Sequence, residues 1–180
     1  MAAQDSSNLP YSQIPDYPET YTAGNVAARI VDGLGFRYYW VTEGLSEQDL
    51  EFKPSPDART TGETLDHILG LSRTLVNSVQ SKPNIPTDRL EISFAEKRKL
   101  TLANFEKASQ ILKKGVPDDM DNYKVIFQRN ENSSEFPFWN MLNGPLSDAI
   151  YHTGQIVSFR RSSGNPINPR VGVFMGKLRE

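Results

Sequence analysis

The chain has no cysteine among its 180 residues. That excludes disulfides, thiolate metal sites and a cysteine nucleophile, so any metal must be held by histidine, carboxylate or backbone oxygen. Histidine is scarce too: His67 and His152 are the only two. No apolar run approaches the ~18 residues that a bilayer-spanning helix needs. The first ten residues, MAAQDSSNLP, lack the charged and apolar regions of a secretory signal, which makes the cytoplasm the expected location. No Gly-rich loop has phosphate-binding spacing, so no nucleotide site is expected. Neither sign of charge dominates: 20 Lys and Arg face 22 Asp and Glu, for a formal net charge of -2. Such a chain, with no basic run, has no general attraction to nucleic acid. Neither nucleic acid nor a membrane is an expected partner.

What is present is a single domain's worth of core. Hydrophobic residues make up 37% of the chain, enough at this length to bury a real interior. Residues 1–22 carry three prolines and many small polar residues. They read as an extended arm, with Tyr11, Ile14, Tyr17 and Tyr21 as docking candidates. A first helix is predicted from Ala23 to Gly44. Ala27, Ile30, Val31, Leu34, Tyr38 and Val41 recur at helical spacing on one side, and Phe36, Tyr39 and Trp40 lie on another. A helix apolar on two sides is buried on two sides, in a bundle centre or at a subunit interface. Gly33 and Gly35 would let a neighbour approach closely. The run RYYW reads as core plus interface rather than as an aromatic binding box.

The stretch LSEQDLEFKPSPDART reads as a linker. Thr60 and Glu63 then have capping-box spacing, which starts a second helix at Thr60 or Thr61. A third helix is predicted from Ser93 to Lys114, with Phe94, Leu102, Phe105, Ala108 and Leu112 inward and Gly115 and Pro117 as its stop. Residues 118–136 look polar and irregular, apart from a short strand in YKVIFQ. A fourth helix contains SDAIYHTGQIVSFRR and ends at Gly164 and Pro166. Either FPFWNMLNG forms a separate helical turn before it, or Pro145 kinks one longer helix. The tail, residues 167–180, looks extended and anchored by Val171, Val173 and Phe174. Four substantial helices predict an all-α, four-helix bundle over residues 23–166, between the arm and the tail.

The fourth helix raises a question of chemistry. Asp148 lies one turn before His152, and Gln155 about one turn after. Ala149, Ile156 and Phe159 share that side, so the polar trio should face the core. A buried carboxylate needs a positive or hydrogen-bonding partner: an arginine, a protonated histidine or a metal ion. A local Asp148–His152 hydrogen bond would suffice. A metal site built with His67 on the second helix would also suffice, because bundles assemble such sites from facing helices. Imidazole and carboxylate together suit zinc, nickel, iron or manganese. The helical wheel opposes this second reading. His67 points nearly opposite the stripe of Leu65, Ile68, Leu69, Leu75, Val76 and Val79, with only Leu71 as a large apolar neighbour. A surface histidine fits that wheel equally well. Glu63, one turn before His67, could be an acceptor behind a ligand, an extra ligand or a general base, and the capping box is its simpler role. Asp66 points away and reads as a solvated helix charge. Arg160 and Arg161 suit the negative end of the helix and could instead hold an anionic substrate.

Two segments together resemble a known family. ARTTGETLDHILGL, followed much later by LSDAIYHTGQIVSFRRSSGNP, resembles the DinB-like (DinB/YfiT-like) superfamily of metal-dependent enzymes. The resemblance implies a four-helix bundle of up-down-down-up topology. It implies a divalent transition metal, often zinc or nickel, on three histidines: one on the second helix and two spaced four apart on the fourth. His67 matches the first and His152 the last, and Asp148 stands at the middle position, where the family has histidine. It is this match that brings His67 into the site. Two histidines and a carboxylate make a more anionic ligand set, one that also suits iron or manganese. The resemblance further implies a homodimer and a small-molecule substrate. Characterised relatives include thiol-dependent transferases and isomerases that use low-molecular-weight thiols. The expected activity is thiol transfer with a metal-activated thiol or water, with Gln155 orienting a ligand or touching substrate, or else making a hydrogen bond of helix packing. Metal-assisted hydrolysis is the enzymatic rival, and a stress-response binding bundle with a vestigial site is the non-enzymatic one.

Overall fold

The computed structural model describes residues 9–88, 91–115 and 120–180. The elements run α1 (Ala23–Thr42), α2 (Glu47–Glu51), α3 (Thr61–Ser78), β1 (Pro83–Asn84), α4 (Phe94–Lys114), β2 (Lys124–Arg129), β3 (Asn132–Pro137), α5 (Trp139–Met141), a π turn (Leu142–Leu146), α6 (Ser147–Ser163), β4 (Val171–Gly172) and β5 (Lys177–Leu178). The molecule is mostly helical, with a few small strands. The first eight residues of the expected arm and Pro117, the expected stop after α4, lie outside the described residues. Among the described residues, no helix is long and apolar enough to cross a membrane.

Local chemistry starts each long helix before α6. The Thr22 hydroxyl accepts from the Asn25 amide at the head of α1. Thr60 with Glu63, and Ser93 with Glu96, close reciprocal capping boxes on α3 and α4. Each box satisfies orphan amides at the helix head, and losing such a cap costs about 1 kcal/mol. Before α6 the chain breaks at Gly144 (φ -98°, ψ -107°). The residue before a proline is driven out of helical geometry by the ring, here that of Pro145. A separate helical turn therefore precedes α6, and the Ser147 hydroxyl donates 2.6 Å to the Leu142 carbonyl across the break. Gly164, left-handed at φ 87°, ends α6.

The long helices pack α1 on α4, α4 on α3, α3 on α6 and α6 on α1. A Cβ on Gly24 would lie 2.4 Å from the Leu112 carbonyl oxygen, so the head of α1 touches the tail of α4. At the other end Arg98, fully buried near the head of α4, donates to the Thr42 hydroxyl and the Tyr39 carbonyl and pairs with Glu43. Arg160, buried near the end of α6, donates to the Val41 and Glu43 carbonyls where α1 ends. Guanidinium forks thus satisfy carbonyls that α1 cannot pair internally. Arg160 is a strut, and the substrate role open to it in the sequence is closed. Val31, Leu34, Tyr38, Ile68, Leu75, Leu102, Phe105 and Ile156 fill the centre, each side chain worth roughly 1.5–3 kcal/mol of burial.

Several expectations are corrected. Residues 132–137 form β3, paired antiparallel with β2 from Lys124↔Pro137 to Arg129↔Asn132. NSSEFP is exposed throughout, so it carries no alternation to read. The linker holds a short helix, α2, with its own capping box between Ser46 and Asp49. Ile30 is exposed although it belongs to the α1 stripe, and Val173 and Phe174 are exposed, leaving Val171 as the buried one of the three expected anchors. Tyr11 is buried, with its ring where a Cβ on Gly35 would fall, 2.5 Å away. Ile14 packs on Gly176. Tyr17 and Tyr21 are exposed and do not dock the arm in the core. Asp66 is not a free charge: it pairs with Lys97 at 2.6 Å across α3 and α4.

Candidate metal centre

The three predicted ligands meet. His67 Nε2 lies 2.9 Å from one Asp148 carboxylate oxygen, and His152 Nε2 lies 3.3 Å from the other. The two imidazole rings are perpendicular, 4.8 Å between centres. One donor atom from each residue falls within a 4.8 Å spread, so the group could hold a metal ion. Two nitrogens on one zinc ion sit at most ~4.2 Å apart, from bonds of 2.0–2.1 Å. Occupancy therefore needs the donors to close by an amount of the order of an ångström.

Each of the three side chains is placed by its helix. Asp148 sits in the first turn of α6, where the helix dipole favours an anion. His152 follows one turn later. His67 is in the second turn of α3, after the Thr60 cap has fixed where that helix begins. The wheel misleads about His67 because α3 borders both α4 and α6. Its leucine and isoleucine stripe fills the centre, while the flank against α6 carries the histidine at the seam. The α6 reading also needs correction. The buried residues of α6 are Ala149, Thr153, Ile156, Phe159 and Arg160. Asp148, His152 and Gln155 sit beside that face, not within it. The Asp148 side chain is 42% exposed, His67 34% and His152 14%. The carboxylate is thus paired at an open seam rather than buried in the core.

Hydrogen bonding bears on whether a cation fits. Gln155 Oε1 lies 2.9 Å from His152 Nδ1. With the amide assigned this way, Nδ1 carries the proton and donates to the glutamine. In the neutral ring that leaves the Nε2 lone pair directed at a carboxylate oxygen. Two acceptors facing one another need a donor or a cation between them, and a metal ion meets that need as a proton or a bridging water does. The residues therefore fit a divalent ion with open coordination positions facing solvent.

Glu63 is engaged at the head of α3, where its carboxylate accepts 2.8 Å from the Thr60 amide. The cap gives it a structural role there. One neighbour escaped the sequence reading: the exposed Tyr151 ring stands edge-on to His152, 5.2 Å between centres. Adjacent helical positions diverge by about 100°, so only the ring's size and rotamer bring it over the histidine, and no spacing rule marks that. A cavity of about 760 Å³ lies elsewhere and shares no lining residue with the triad.

No family profile matches the sequence, and no curated protein matches it significantly. The fold does have a counterpart. The crystal structure of YjoA, a DinB-like protein from Bacillus subtilis, superposes with a TM-score of 0.57 over 78% of this chain and 96% of that one, at 17% sequence identity. The chain has a DinB-like fold.

Proposed function

We propose that this protein is a metal-dependent enzyme in which His67, Asp148 and His152 bind one divalent transition metal. The observation that carries the reading is the Asp148 carboxylate set between two imidazole nitrogens, at 2.9 and 3.3 Å. Zinc or nickel is the favoured ion, with iron or manganese the alternatives for a set that has a carboxylate in place of a third histidine. A bound divalent ion supplies charge that lowers the pKa of a thiol or water in its open positions.

The chain's own residues do the rest. Gln155 holds the Nδ1 proton of His152 and so presents Nε2 to the site. Asp148 offsets the positive charge of the centre. The open seam admits a small substrate, and Tyr151 provides an aromatic wall beside it. In the favoured reaction a low-molecular-weight thiol gives its proton to solvent. Its sulfur forms a bond to an electrophilic carbon, whose leaving group departs with the bonding electron pair. Solvent access at the seam also supports the rival reading, in which water replaces the thiol and the reaction is hydrolysis. A vestigial site in a binding bundle is the reading left if no metal is taken up.

The same proposal carries the finer architecture. The end contacts of α1 with α4 and α6 support an up-down-down-up bundle of the four long helices. A homodimer and a cytoplasmic location complete the reading. The test is elemental analysis of the untagged protein beside a His67→Ala/His152→Ala double variant. About one equivalent of a transition metal in the wild type and none in the variant is the expected result. No uptake by the wild type after incubation with zinc, nickel, manganese and ferrous iron would overturn it.

A further inference from the structure

A large cavity lies away from the triad. It is walled by the first two turns of α1, the β2–β3 hairpin and the segment that leads into α6, and its volume is about 760 Å³. That is the size range of small-molecule sites, which are mostly apolar with a few placed polar groups. Val26, Ile30, Phe138 and Leu142 line the wall. Two features go beyond a bare apolar surface.

The first is a pair of aromatic rings left in solvent at the same cavity. Tyr21 is 98% exposed and Trp139 is 73% exposed, and both line the space. Neither ring stacks on another aromatic side chain among the described residues. Exposed tryptophan and tyrosine offer rigid, flat contact area at low entropic cost. The second is Lys124. It is half-buried on β2, opposite Pro137, and both residues face the cavity. Among the described residues it forms no ion pair. The acid that shares the lining, Asp121, is solvent-exposed, where water screens its charge. Lys124 is the one basic residue among those that line this cavity.

We propose that this cavity binds a flat aromatic organic anion, its rings held by Tyr21 and Trp139 and its carboxylate or sulfonate seated on Lys124. The site is independent of the metal centre and does not rest on the proposed reaction.

The probes are 1-anilinonaphthalene-8-sulfonate and its uncharged counterpart, N-phenyl-1-naphthylamine, titrated by fluorescence into the full chain. The sulfonate should bind saturably at one per chain. Lys124→Met should weaken it about tenfold, the value of one charge-assisted contact, and leave the neutral probe unchanged. Val26→Trp, placed at an exposed position on the wall, should fill the space and abolish both. The His67→Ala/His152→Ala variant should bind as the wild type does, even if the metal proposal fails. Far-UV circular dichroism checks each variant. Should Val26→Trp misfold, the Lys124→Met comparison of charged and neutral probes decides alone. Unsaturable binding, equal loss of both probes in Lys124→Met, or no loss of either would overturn the proposal. So would sedimentation showing that the sulfonate binds only when a dimer dissociates, because a second copy would then own this face.

Discussion

At the residue scale, the site rests on one carboxylate and one amide. Asp148→Asn keeps the shape of the side chain and removes its charge. We expect metal content to fall from about one equivalent to below a tenth, with helicity unchanged, because the side chain is 42% exposed and packs little core. Elemental analysis and circular dichroism check both halves of that expectation. Gln155→Leu removes the acceptor that fixes the His152 tautomer. Partners of this kind typically contribute 10–100-fold to metal affinity, so competition with a chelator should show a loss of about that size. Gln155→Glu should retain the affinity, since a carboxylate oxygen also accepts from Nδ1.

At the element scale, two joints hold the secondary structure in register. Asp49 ties α2 to the end of α6, accepting from Ser46, Ser163 and Asn165. Burial alone would raise its carboxyl, but those hydrogen bonds outweigh burial and pull it down to about 2 from an ordinary 3.8. A depressed folded-state value means stability that is fully present above about pH 4 and is lost as the pH falls through about 2. It is worth roughly 2 kcal/mol. Urea unfolding should show Asp49→Asn less stable than wild type at pH 6, with the gap closing between pH 4 and pH 2. The arm has its own joint. Tyr11 donates 3.0 Å to Asp32, whose other oxygen meets Lys113 at 2.7 Å. Burial lifts the Tyr11 phenol well above its usual range, and the Asp32 charge adds to this. Gly35→Ala would drive a methyl into that ring. Limited proteolysis should cut near residue 11 faster in Gly35→Ala and Tyr11→Ala, and at the wild-type rate in Tyr17→Ala, whose ring is exposed.

At the scale of the whole molecule, α3 and α6 are joined at the seam by the triad, so an ion bound there should couple to global unfolding. A ligand at 100 times its dissociation constant adds about 2.7 kcal/mol, and each kcal/mol moves Tm by roughly 2–4 °C for a chain of this size. Saturating metal should therefore raise Tm by about 5–10 °C in the wild type and leave the double variant unmoved. The resemblance of two short segments pointed to the DinB-like shape, and the superposition on YjoA carries that shape over most of both chains.

What the sequence determined by itself is what local rules govern. Thr60 with Glu63, and Gly164, mark helix ends because capping involves residues three or four apart. The leucine and isoleucine stripes of α1, α3 and α4 follow from a 3.6-residue period. The Asp148–His152 pair shows for the same reason. The tertiary structure alone decided the rest. His67 joins that pair across 81 positions of sequence, on a flank where the wheel shows only Leu71 as an apolar neighbour, because a helix with two neighbours is covered over a wider arc than its hydrophobic stripe. Arg160 could be read as a helix-end charge, yet it turned out to brace α1, since its guanidinium fork meets carbonyls more than a hundred residues away. β3 pairs through backbone groups that every sequence has, so its exposed side chains left nothing to read. Long-range pairing is set by which surfaces the compact chain brings together, and no spacing along the sequence encodes that.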